Sequence, residues 1–223
     1  MKQLLTAALV VAIAVLVLGP VQVFAASDTL TVYASTGIPL DKTIRGDTLA
    51  NGSRVHHVYQ LVSTDTTYLF DATITVNTNF AVIGVPKSGT GKLPCIQSDH
   101  LAAPPQPGVL FTLSGTHTTG TFKNLYLLGI DITNAVNFGG GQAIQVSADS
   151  ITIVCDHVIF EQWSQFAIGY SSSWDKFFIT NCKFRNMTTQ PNQWYVGEVL
   201  RNENYVAPFP TDTIVIRYNT ILC

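Results

Sequence analysis

ITNCKF, residues Ile179–Phe184, sets the pattern from which the fold is read. Three other segments can be laid over it: Leu127–Ile132 (LLGIDI), Cys155–Phe160 (CDHVIF) and Ile216–Ile221 (IRYNTI). Each has an apolar residue first, a polar or turn-capable residue third and an apolar residue sixth. The four begin at residues 127, 155, 179 and 216, so the repeat is irregular but always short. Units of this length, rich in β-branched residues and poor in helix formers, are the coils of a solenoid built from strands. Alternation points the first, fourth and sixth residues inward. Stacked coils put like residues ~4.8 Å apart, so each inward position becomes an apolar ladder.

The third position is Gly129, His157, Asn181 and Tyr218. A sharp bend between two strands needs left-handed backbone, which Gly and Asn adopt readily and His moderately. His157 is therefore expected at a bend and not as a metal ligand. Tyr218 departs from the pattern, and Asn219 is expected to take the bend in its place. Each coil also needs a strand ahead of the repeat. Leu110–Leu113, Ala143–Ser147, Ala167–Ser171 and Glu198–Arg201 supply it, and Tyr68–Val76 with Ala81–Val85 make an earlier coil.

The strings ITNCKFRN, VIRYNTIL and LYLLGIDITN resemble the coils of the right-handed parallel β-helix, the pectin-lyase-like superfamily. The chain is similar in particular to secreted bacterial β-helix proteins. This resemblance implies an all-β right-handed parallel β-helix over residues 59–223, with 26–58 as an N-terminal cap. The chain stops at Cys223 directly after a repeat strand, so it is expected to be C-terminally truncated, a fragment of a longer protein.

Residues 1–25 precede the fold. Lys2, the apolar run Leu4–Leu18 and Val23-Phe24-Ala25 make a secretory signal peptide cleaved after Ala25. The run is shorter than the ~20 residues that span a bilayer, so no stable membrane span is expected after cleavage. The expected location is extracellular or at the cell surface. Charged residues are 12% of the chain and apolar residues 47%, with a formal net charge of −2. No basic stripe is present, which argues against nucleic acid. Cys155 and Cys182 point inward in different columns and read as small buried apolar residues. A monomer is expected.

Turn signals fill Ser27–His57, and Arg45-Gly46-Asp47 there is turn chemistry more readily than an adhesion tripeptide. The Pro- and Gly-rich stretch Pro86–Thr121 looks like a coil with an inserted loop.

The resemblance implies chemistry in the groove along the first-strand sheet: a cationic base with Ca²⁺ or a second cation for a lyase, or paired carboxylic acids for a hydrolase. The outward positions there are Thr112, Gln145 and Gly169, joined in the last coil by Glu198, Arg201 and Glu203. With Asp149 these charged residues form the candidate catalytic set, Arg201 acting as base. The favoured reading of Glu198, Arg201 and Glu203 is a solvated surface cluster whose ion pairs contribute little, because nothing in the sequence lowers the pKa of Arg201. The superfamily's strings Asn-x-Asp with Asp-Asp, and Arg-x-Pro-x-x-Arg, are absent. Trp163 and Trp194-Tyr195 sit in loops leading to consecutive first strands, where aromatic faces would stack on sugar rings; the competing and favoured reading is that Trp163 and Trp194 pack their own loops onto the helix. No metal ligand set is assigned, and Ca²⁺ enters only if the chain is a lyase. Three functions remain in view: binding of extracellular polysaccharide, lysis of uronate-containing glycans, and a structural or adhesive stalk.

Overall fold

In a computed structural model, residues 28–34, 38–99, 108–131, 141–187, 198–203 and 208–222 are described. The expected signal peptide, Trp194, Tyr195 and Cys223 lie outside them. The chain is a right-handed parallel β-helix in which every strand pairing within the three sheets is parallel.

From Ile74 onward each coil contributes one strand to each sheet in turn. Sheet 1, the first-strand sheet, holds β4 (Ile74–Val76), β7 (Val109–Leu113), β10 (Gln142–Val146), β13 (Phe166–Tyr170) and β16 (Glu198–Asn202). Sheet 2 holds β1 (Thr29–Tyr33), β2 (Val58–Val62), β5 (Phe80–Val85), β8 (Thr119–Lys123), β11 (Thr152–Asp156), β14 (Asp175–Thr180) and β17 (Thr211–Arg217). Sheet 3 holds β3 (Tyr68–Phe70), β6 (Cys95–Ser98), β9 (Tyr126–Asp131), β12 (Ile159–Glu161), β15 (Lys183–Arg185) and β18 (Thr220–Leu222).

The bends expected from the third position are present. His157 has φ 54° and Asn181 φ 53°. Their amides donate to the next coil, His157 N–H to Thr180 O at 3.2 Å and Asn181 N–H to Arg217 O at 3.1 Å. A left-handed residue at this point reverses the pleat and keeps its amide along the stacking axis, so the hydrogen-bond ladder runs on through the corner. Tyr218 corrects the expectation placed on Asn219: it takes the bend itself, at φ 56°. Asn219 instead ties coils together, accepting from Cys182 N–H at 2.7 Å and donating to Ile179 O at 2.9 Å.

One quoted segment is out of register. Cys155 pairs with Phe122, and Phe160 with Leu127. The coil equivalent to ITNCKF is thus Phe122–Leu127, with Asn124 at the bend (φ 53°). Gly129 lies inside β9. A Cβ there would sit 2.5 Å from Gln162 O, so this glycine serves a close backbone approach and not a bend.

The ladders fill the interior. Phe160 and Phe184 stack with centroids 5.0 Å apart and planes 3° from parallel. Tyr59, Phe80, Phe111 and Phe122 form a second aromatic cluster. Burying each such side chain contributes about 1.5–3 kcal/mol. Cys155 and Cys182 are buried, unbridged core residues, and burial pushes the Cys182 thiol up to about 12. At the other end the short helix α1 (Leu40–Gly46) packs on β3 and β4 and buries Leu40 and Ile44 in the same core. Strand pairing begins inside the span expected as a cap, because β1 already pairs with β2. Glu161 and Arg185, in the same outward column one coil apart, pair at 2.6 Å, and Tyr126 joins them through its hydroxyl.

The bend geometry makes a prediction. His157→Gly should leave thermal stability nearly unchanged. His157→Val should lower it by about 1–2 kcal/mol, because a β-branched residue is strained in the left-handed region beyond what histidine tolerates there. For a chain of this size that is a fall of roughly 2–8 °C in Tm. Equal melting curves for the two variants would contradict the role given to this corner.

Candidate binding face

The outward residues of sheet 1 are in register. Thr75 pairs with Thr112, Thr112 with Gln145, Gln145 with Gly169, and Gly169 with Arg201. Gln142, Phe166 and Glu198 form a parallel column beside it. The face is therefore uncharged along β4, β7, β10 and β13, and charged at β16.

The charged end is knitted to its neighbours. Arg201 Nη1 donates to Glu198 Oε1 at 2.5 Å, and its guanidinium lies 5.9 Å from the centre of the Phe166 ring. Its side chain is only 13% exposed. Glu203 reaches back two coils, where Oε1 accepts from Gln145 Nε2 at 3.2 Å and from Gln142 Nε2 at 3.3 Å. That reach depends on Gly169. A Cβ at Gly169 would meet Phe166, Gln142 Oε1 and Glu203 Oε1, all within 2.6 Å. The missing side chain is the space the carboxylate crosses.

Burial raises the Glu203 carboxyl above the ordinary glutamate value, against the opposing pull of the Gln142 amide, the Arg201 charge and the Gln145 amide. Gln142 Oε1 is buried and has no hydrogen-bond partner among the described residues.

Of the expected catalytic set, Glu198, Arg201 and Glu203 come together. Asp149 does not join them. It lies in the turn after β10, where its carboxylate accepts from Ser173 N–H at 2.7 Å and its carbonyl from His117 N–H at 3.3 Å. It is a corner residue. Arg201, expected as the base of that set, is clamped between the Glu198 carboxylate and the Phe166 ring.

Trp163 is also corrected. It is fully buried, and its indole N–H donates to Leu127 O at 3.1 Å. It packs the 162–165 turn onto β9 and offers no face to a sugar. Trp194 and Tyr195 lie outside the described residues. Gln142 and Phe166, which the sequence pattern did not single out, are buried and hold the charged end in place, Gln142 through Glu203 and Phe166 against Arg201. Their signal was present in the register, since each stands three residues before an outward position already identified.

Among the described residues no group of three or more His, Cys, Asp and Glu side chains is arranged to hold a metal ion, and no helix is long and apolar enough to cross a membrane. No family model, curated protein or solved structure matches the chain.

Glu203 generates a pH prediction. A carboxyl whose folded value is raised binds its proton more tightly folded than unfolded, so stability falls as pH rises from the ordinary glutamate value through the folded one. Glu203→Gln removes that slope. The variant should match the parent Tm below pH 4 or so and exceed it at neutral pH. A variant less stable at neutral pH would show that the ionised carboxylate is favoured in the fold.

Proposed function

We propose that this chain is an exported β-helix of the pectin-lyase-like class that binds extracellular polysaccharide on the outer face of sheet 1. The observation that carries the proposal is the row Thr75, Thr112 and Gln145 at the ~4.8 Å spacing of stacked strands. Hydroxyl and amide groups both donate and accept, as sugar hydroxyls do. A sheet holds them rigidly, so little ordering is needed on binding. With Trp163 in the core, affinity rests on these polar groups.

A catalytic reading has one supporting observation. Glu203 holds a raised carboxyl close to the Arg201 charge, which is a pairing suited to proton transfer. Under that reading the chain is a polysaccharide lyase and Glu203, not Arg201, is the group to test first.

The experiment is affinity electrophoresis of the exported chain through gels cast with neutral and acidic polysaccharides, alongside absorbance assays for unsaturated uronate product. Binding predicts retardation in at least one gel. Thr112→Ala and Gln145→Ala should each weaken it by roughly 2- to 10-fold, the worth of one hydrogen bond at about 0.5–1.5 kcal/mol. Unsaturated product that disappears in Glu203→Gln would establish the lyase. Unaltered mobility in every gel, without product, would reject both readings and leave a stalk.

A further inference from the structure

The uncharged end of sheet 1 abuts a second polar site. Thr48 and Arg54 form an isolated antiparallel bridge, and the segment between them lies at β4, the edge strand of the sheet. Arg54 fixes it there, with Nη2 donating to Thr75 O at 3.1 Å and Nη1 to Ile44 O at 2.9 Å and Tyr59 Oη at 3.4 Å. Between this segment and the turns after β4 and β7 is an open cavity of about 590 Å³.

The chemistry of its walls is one-sided. Asn51, Asn77, Thr78 and Ser114 bring amides and hydroxyls, Arg54 and His57 bring the basic groups, and no carboxylate lines it. Arg54 makes no ion pair among the described residues. A guanidinium has five N–H donors, and the three bonds above leave its Nε–H and one Nη2–H without a partner among those residues. A planar pair of N–H groups on one guanidinium suits an oxyanion. His57 is held from behind. Asp28 Oδ1 stands 2.8 Å from its Nδ1 and also accepts its backbone N–H at 2.9 Å, which leaves Nε2 for the cavity. Thr78 Oγ1, on the same wall, is buried without a partner among the described residues.

We infer that this cavity binds a sugar residue carrying an acidic group. Arg54 takes the anion, and the amides and hydroxyls take the ring hydroxyls. Because the 48–54 segment stands across the edge of sheet 1, the bound residue is the terminus of a glycan whose remainder runs along the Thr75–Thr112–Gln145 row. That last part rests on the polysaccharide reading, whereas the acidic-sugar site does not.

The test is an NMR titration of the full chain with free glucuronate, galacturonate and glucose 6-sulfate, with glucose and galactose as neutral controls. An acidic sugar should shift the backbone amides of Asn51, Asn77 and Ser114 saturably, and the uronate and sulfate arms identify the acid. The neutral sugars should shift them at least about tenfold more weakly. Arg54→Gln should weaken acidic-sugar binding by a similar factor. Since Arg54 also ties Ile44 and Tyr59, Asn77→Trp serves as a second variant. Asn77 is exposed and makes no side-chain hydrogen bond among the described residues, so the indole should block the cavity without unfolding the chain. Equal response to neutral sugars, no response to any acidic sugar, or full binding by Asn77→Trp would overturn the inference. Polysaccharide retardation without acidic-sugar binding here would remove this site and leave the groove. The converse would remove the groove and leave this site.

Discussion

Each turn from sheet 2 into sheet 3 at Asn124, His157 and Asn181 passes through a single residue in the left-handed region, and that residue's N–H donates to a carbonyl one coil further on. The arrangement recurs elsewhere. His117, Ser150 and Trp174 stack at the turn from sheet 1 into sheet 2, and Gln162 and Asn186 follow the strands of sheet 3. Left-handed backbone costs an L-residue with a Cβ about 1–2 kcal/mol. Here it is offset by a main-chain hydrogen bond that would otherwise be lost at every corner. The corners, more than the strands between them, fix where one coil lies on the next.

Once the corners align, the two faces follow. Inward residues fall into ladders, of which Leu127, Phe160, Phe184 and Ile221 make one. Outward residues fall into rows, and on sheet 1 the row is mostly hydroxyl and amide. Gly169 interrupts it for a stated physical reason, since the Glu203 carboxylate occupies the space above its Cα. The polar cluster at one end and the Arg54 cavity at the other are therefore products of the same stacking. β16, β17 and β18 are the edge strands at one end of the three sheets, which leaves Ile214, Ile216 and Ile221, continuing inward columns, about half exposed.

Much of this was legible in the sequence. CDHVIF, ITNCKF and IRYNTI align in the structure as they align on the page, because apolar, bend and apolar positions recur at fixed offsets. LLGIDI deceived by offering a glycine where a bend was wanted. Gly129 answers to a different demand, the close passage of Gln162, and that demand leaves no local signature. Trp163 was misplaced because an aromatic in a loop reads alike whether it faces water or core. Glu203 could be named but its partners could not. Its contact with Gln142 spans two coils and depends on the emptiness above Gly169, a three-dimensional fact without a sequence period. The Arg54 cavity was missed because its walls come from a turn-rich segment without periodicity and from two separate coils.

The central claim is the register that the corners impose, and cross-strand nuclear Overhauser contacts test it most directly. The account predicts backbone contacts from Phe122 to Cys155 and Cys155 to Ile179, with Leu127 against Phe160. Neighbouring strands lie ~4.8 Å apart, which is close enough to observe. Leu127 found beside Cys155, with Phe122 elsewhere, would contradict it.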